Sequence, residues 1–140
     1  MVDPTDISDR ETLSNREVAE RFIELFHRQD RVGDAFRCWV HPDYIQHNPN
    51  APSGRDETMA FLENAVRNNP ELTHEVKRVI YGEGDCELVA VHHHFRRTKD
   101  DRGWAVVDIL RIRDGYVVEH WDVMQQVPDP AETKNDNGMF

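Results

Sequence analysis

Two kinds of hydrophobic spacing divide this chain near Leu72. Before it, apolar residues recur at helical intervals; after it, they alternate. Val18, Phe22, Leu25 and Phe26 form one helical stripe, widened by Ile23, and Ser14-Asn15-Arg16-Glu17 places a capping box in front of it. That helix is predicted to run to about Gln29. A second, shorter helix near Val32 to Val40 presents Val32, Phe36, Trp39 and Val40. His41-Pro42 ends it, because the residue before a proline is pushed out of the α region. Tyr44 to Pro49 reads as a short extended piece leading into a proline-rich loop. Ser53 is placed to cap a third helix with Met59, Leu62, Ala65 and Val66 along one side, and Asn68-Asn69-Pro70 stops it. The alternation beyond Leu72 predicts strands at 73–82, 86–97, 103–113 and 116–126.

Helices first and a meander of strands afterwards make an α+β plan, with three N-terminal helices packed on a strongly curved antiparallel sheet. Strands twist, so such a sheet curls around its helices into a cone with a central pocket, the kind of place where small molecules bind. Residues 1–13 are expected to form a flexible arm, 14–127 a single domain and 128–140 a flexible tail.

The 140 residues suffice for one hydrophobic core. A formal net charge of −10 argues against nucleic acid and anionic membranes as partners, since phosphate-binding surfaces need clustered Lys and Arg. Only Lys77, Lys99 and Lys134 are lysines, a bias that suits either a high-salt interior or an Arg-rich genome. No apolar run approaches the ~18–20 residues of a membrane span. The opening MVDPTDISDRETLS lacks the basic and apolar regions of a signal peptide, so a cytoplasmic protein is expected. Cys38 and Cys86 have neither CxxC spacing nor a disulfide framework and read as packed free thiols. No phosphate-binding glycine loop, serine-nucleophile motif or cofactor fingerprint is present.

The chemistry concentrates in Trp104 to Gln126, two strand-like runs joined at Asp114-Gly115, a hairpin turn signal. Counted across a plain two-residue turn, Asp108 faces Trp121. Trp104, Val106, Asp108, Leu110, Ile112, Val117, Glu119, Trp121 and Val123 then share one face, with His120 and Asp122 on the other. One bulge would exchange those faces. On the apolar face, lost hydration would raise the pKa of Asp108 and fit it to trade protons with a carbon acid near neutral pH. The alternative is an Asp that pairs with Arg or His to hold the sheet. His92 and His94 share a strand face and His93 points away. A metal at His92 and His94 would need further ligands, for which His47, His120 and Asp108 are the available types; packed or hydrogen-bonded histidines are the preferred reading. Gln46-His47-Asn48, at a helix-to-strand junction, can bind a carbonyl or enolate oxygen or simply bond to its own backbone.

Three stretches, YIQHNPNAPSG, GEGDCELVAVHHHFR and DRGWAVVDILRIRDGYVVEHWDVMQ, resemble the SnoaL-like branch of the nuclear transport factor 2-like superfamily. The likeness runs from about Tyr44 to Val127. It is closest to short proteins described as predicted SnoaL-like aldol condensation enzymes. It implies an α+β cone and a homodimer formed through the sheet. In SnoaL-type polyketide cyclases an Asp in the strand before the last hairpin turn abstracts a proton next to a carbonyl and returns one to the ring-closing alkoxide, with no metal or cofactor. Asp108, in DILR, is the matching position, and His94, then His92, match the supporting histidine of the preceding strand. The chain is shorter before Trp104 than the cyclases, so the resemblance does not extend to polyketide as substrate.

The expectation is therefore a cofactor-independent enzyme enolising a small carbonyl substrate, with aldol, cyclase or isomerase chemistry. Asp108 is the expected base with His94 and His47 as partners. Tyr44, Gln46, Asn48, His92, Trp104, Glu119, Trp121 and His120 are expected to bind substrate. The rival is a non-catalytic small-molecule-binding or dimerisation module, distinguished by whether Asp108 and the histidines converge on an open cavity. A hydrolase using Asp108 and Asp122 would need both acids on one wall, which the plain register denies.

Overall fold

The computed structural model describes residues 2–140. Helix α1 (Asn15–Ile23) opens with the predicted capping box: the Ser14 hydroxyl accepts from the Glu17 N–H, and the Glu17 carboxylate accepts from the Ser14 N–H. α1 runs into a π turn, Glu24–Arg28, where the Gln29 N–H reaches back five residues to the Glu24 carbonyl. The extra residue in that turn lets both Leu25 and His27 enter the core. Helix α2 (Val32–Trp39) follows, then strand β1 (Val40–Gln46) and helix α3 (Arg55–Asn68). α3 is capped one residue later than predicted, at Gly54 with φ +95°; the Ser53 hydroxyl instead accepts from the Gln46 N–H in β1.

Strands β2 (Thr73–Tyr81), β3 (Leu88–Arg96), β4 (Trp104–Arg113) and β5 (Tyr116–Gln126) complete a five-stranded sheet of order β1-β5-β4-β3-β2. The β2 to β5 pairs are antiparallel, as expected, and β1 joins β5 in parallel. The curved, unclosed sheet and three helices enclose a core of Ile23, Leu25, Phe36, Trp39, Val91, Leu110 and Ile112. Each such side chain contributes about 1.5–3 kcal/mol on burial.

Asp114 and Gly115 both have positive φ (52° and 81°), the type I′ turn their sequence predicts. Beyond it the plain register fails. Ile112 pairs with Val117, but Arg111 pairs with Glu119, so Val118 bulges out of the ladder. Every residue of β5 past Val118 is turned to the opposite face. Asp108 therefore faces Asp122 rather than Trp121, and His120 and Asp122 share its side of the sheet. Glu119, Trp121 and Val123 go to the outer side, correcting the predicted faces.

The N-terminal residues, expected to be loose, strap the hairpin end of the sheet. The Trp39 indole donates to the Pro4 carbonyl at 2.7 Å, and the Arg10 guanidinium lies over the Tyr116 ring while donating to the Gly115 carbonyl. At the other terminus Phe140 stacks on His94, with ring centroids 4.4 Å apart. No helix among the described residues is long and apolar enough to cross a membrane.

Candidate active site

Between the helices and the concave side of the sheet lies a cavity of about 480 Å³. That is a size suited to small molecules. Phe22, Phe26, Phe36 and Leu62 wall it from the helices, and Trp104, Val106 and Leu110 from the sheet. Apolar groups dominate, so the polar side chains that enter it stand out.

Asp108, only 7 % exposed, is the hub. Its Oδ2 is 2.8 Å from His27 Nε2 and 2.7 Å from His93 Nε2, and its Oδ1 is 2.8 Å from His120 Nε2. Three elements deliver these rings: the π turn, β3 and β5. His120 continues the chain of bonds, its Nδ1 lying 2.7 Å from Gln46 Oε1. Gln46 Oε1 also accepts from the Asn48 backbone N–H, which can only donate, and this fixes the amide's orientation. His120 Nδ1 must therefore carry a hydrogen. Gln46 Nε2 donates to the Tyr44 hydroxyl at 3.1 Å. Asn48 Nδ2 donates to both carboxylate oxygens of Asp122, at 2.8 and 3.1 Å. Asp122 lies 3.9 Å from His120 Nε2.

The proton distribution follows from these contacts. Burial opposes ionisation of Asp108, but the bonds from His120, His27 and His93 outweigh it and hold its pKa well below the ordinary carboxylate range. This corrects the expected upward shift, which counted lost hydration and no donors. Burial likewise opposes charge on His120, yet Asp108, with help from Asp122, raises its pKa above the usual value. The pair is a carboxylate and an imidazolium. His27 has no such compensation: burial drives its pKa down to about 4, so it is neutral at physiological pH and donates from Nε2. The Nδ1 atoms of His27 and His93 have no hydrogen-bond partner. For the neutral His27 ring, donating from Nε2 leaves only a lone pair there, cheaper to bury than an orphaned N–H.

The ligand atoms of His27, His93 and Asp108, and those of Asp108, His120 and Asp122, are close enough to hold a cation. Metal-bound histidines nearly always donate the other ring N–H to a partner. His27 and His93 have none, so the first of these sets fits a hydrogen-bonded carboxylate better than a metal centre, whereas in the second His120 has Gln46 as its partner. Cys38 is no nucleophile candidate: burial pushes its thiol pKa up.

Of the residues expected to bind substrate, Tyr44, Gln46, Asn48, Trp104 and His120 line the cavity, His120 because the bulge turns it inward. His94 does not partner Asp108. It lies on the far face of β3, its Nε2 against the Arg102 carbonyl, and His92 on the same face contacts Arg78. His47, Glu119 and Trp121 assemble on the outer side instead. The His47 ring stacks on Trp121 with centroids 5.0 Å apart and bonds Glu119 at 2.7 Å.

Sequence reasoning missed His27 and His93 and misplaced Asp122. His93 was findable, because Val89, Val91 and Phe95 make its side of β3 the apolar one. His27 sits in the polar run His27-Arg28-Gln29-Asp30, and nothing in α-helical spacing announces a π turn. The Val118 bulge likewise has no sequence mark.

Residues 19–120 match the family model described as SnoaL-like domain. No curated protein matches the chain in sequence. Among solved structures, a candidate polyketide cyclase from Bacillus cereus is 20% identical with a TM-score of 0.58, covering 81% of this chain and 79% of that one. A candidate isomerase of the SnoaL-like family from Agrobacterium tumefaciens is 11% identical with a TM-score of 0.61, covering 79% and 97%. An NTF2-like protein of unknown function from Cytophaga hutchinsonii is 10% identical with a TM-score of 0.62, covering 81% and 91%. The structural likenesses establish the curved-sheet fold, and the match over residues 19–120 places this chain in the SnoaL-like domain family.

Proposed function

We propose that this protein is an enzyme that moves a proton at a carbon next to a carbonyl in a small, mostly apolar substrate. That step is shared by aldol, cyclase and isomerase reactions. Side chains suffice for it: a base for the C–H proton, a donor for the developing enolate oxygen, and a dry pocket that strengthens both. The observation that carries this reading is the convergence of Asp108 with His27, His93 and His120 on the wall of an apolar cavity. A buried carboxylate with three N–H donors is far more ionic machinery than a sheet needs for stability. The open cavity beside it supports the catalytic reading over a non-catalytic binding module.

The polar groups fall into roles. Tyr44 accepts from Gln46 and has no acceptor of its own among the described residues, so its O–H is free to donate to an enolate oxygen. Burial and the nearby Asp108 and Asp122 push its pKa up, so it donates a hydrogen bond without giving up the proton. The polyketide cyclase and isomerase descriptions of two structural neighbours support the same reaction class. Exposed Val123 and its cross-strand partner Val107, on the outer face, support a homodimer through the sheet, checked by sedimentation.

The test is turnover of a panel of small β-dicarbonyl and hydroxy-ketone compounds by the wild type and by Asp108→Asn. Loss of at least ~100-fold in kcat with the circular dichroism spectrum retained is expected. A fully active, folded Asp108→Asn would end the proposal.

A further inference from the structure

The reaction class above leaves open which group takes the proton, and Asp108 is poorly placed to do so. A carboxylate offers about four lone-pair positions. In Asp108, N–H groups of His27, His93 and His120 occupy three of them, and the same bonds depress its proton affinity. The Asp122 carboxylate is less occupied by donors. Asp122 is the direct cross-strand partner of Asp108, it lines the same cavity, and among the described residues the side-chain amide of Asn48 is the one hydrogen-bond donor to its carboxylate. Its oxygens keep lone pairs free, and Asn48 fixes their direction. His120 stands between the two acids, 2.8 Å from Asp108 and 3.9 Å from Asp122.

We propose that Asp122 is the catalytic base of this site, and that Asp108 is a positioning residue that keeps His120 charged and fixed beside it. The assignment rests on the proton-transfer reading of the cavity. In the step, an Asp122 oxygen takes a hydrogen from the carbon next to the substrate carbonyl. The C–H electron pair becomes the C=C bond of the enolate, and the carbonyl π pair moves onto oxygen, where the Tyr44 O–H donates to it. The proton then held by Asp122 returns either to a different carbon, giving an isomer, or to the alkoxide formed when the enolate carbon attacks a second carbonyl. No electrons enter or leave, and no outside reactant is needed.

The bulge at Val118 is what makes this possible. In the plain register Asp122 would lie outside the cone; one extra residue in β5 carries His120 and Asp122 together to the inner face. Asn48, on the loop after β1, then meets Asp122 because the parallel β1–β5 pairing sets Gln46 beside His120.

An α-bromo ketone tests the assignment without turnover. In 1-bromo-2-butanone the carbon bearing bromine occupies the place of the proton-bearing carbon. A base carboxylate displaces bromide and forms an ester that peptide mass spectrometry locates. Labelling of Asp122, absent in Asp122→Asn and slowed by a β-dicarbonyl competitor, is the expected result. In solvent-deuterium exchange into the carbonyl panel, Asp122→Asn should lose about 10²–10⁴-fold in rate with KM changed less than about threefold. In Asp108→Asn the high-pH limb of the rate profile should move to lower pH, as the charge on His120 loses its support.

An ester on Asp108, labelling confined to histidines or Cys38, or an Asp122→Asn variant that exchanges at the wild-type rate would overturn the assignment while leaving the proton-transfer reading intact. A wild type that exchanges no member of the panel and forms no carboxylate ester would overturn both. Should Asp122→Asn fail to fold, the labelled residue in the wild type still decides.

Discussion

The neutral His27 buried against Asp108 has a consequence for the whole fold. Its pKa falls from an unfolded value near 6.5 to about 4 in the native state. Between those two values the unfolded chain binds more protons, so stability must fall as the medium is acidified. The loss begins near the unfolded pKa and is complete below the folded one. One pKa unit corresponds to about 1.4 kcal/mol, so the full effect is about 3 kcal/mol, of which about 2 kcal/mol is gone by pH ~5. Replacing His27 by Gln keeps an amide N–H in the position of Nε2, able to donate to Asp108 Oδ2, and removes the titration. The variant should lose about 1 kcal/mol at neutral pH from imperfect packing. In exchange, its stability should fall about 2 kcal/mol less than that of the wild type between pH ~7.5 and ~5. Urea unfolding followed by tryptophan fluorescence at several pH values measures both. Equal acid slopes in the wild type and His27→Gln would refute the claim that a buried neutral imidazole carries this sensitivity.

Other outcomes follow from the same geometry. His120 is raised in pKa, so it contributes stability that is fully present below ~6.5 and lost as pH rises through its higher folded value; activity that depends on its charge should decline over the same upper range, read from kcat/KM against pH. Tyr44→Phe should cost about 10²–10³-fold in kcat, the price of removing one oxyanion donor, with little change in KM. His47→Ala should leave turnover within about twofold of wild type, because His47 stacks on Trp121 outside the cavity; a large loss would return it to the site.

Local signals read true wherever a short stretch settles its own geometry. The Ser14–Glu17 capping box and the Asp114-Gly115 turn form as read, and the strands fall within two residues of the alternating runs. Asp108 was legible as the hub because an acid within DILR stands on an apolar face whatever happens to its neighbours. Its partners were not. A π turn around His27 and a bulge at Val118 each insert one residue, and each changes which side chains face inward without altering composition or spacing. The direction of the Asp108 pKa was lost for the same reason. Burial could be inferred from the strand, whereas the three donors come from the π turn, β3 and β5 and meet only in the folded chain.

The central claim is that this cavity removes a proton from carbon, and deuterium entry from D₂O into small β-dicarbonyl and hydroxy-ketone compounds reads that step alone, before any aldol or isomerisation outcome. The account predicts exchange at the carbon next to the carbonyl, catalysed by the wild type and reduced at least ~100-fold in Asp122→Asn. Exchange no faster than in protein-free buffer across the panel, with the compounds shown to bind, would contradict it and leave a binding module.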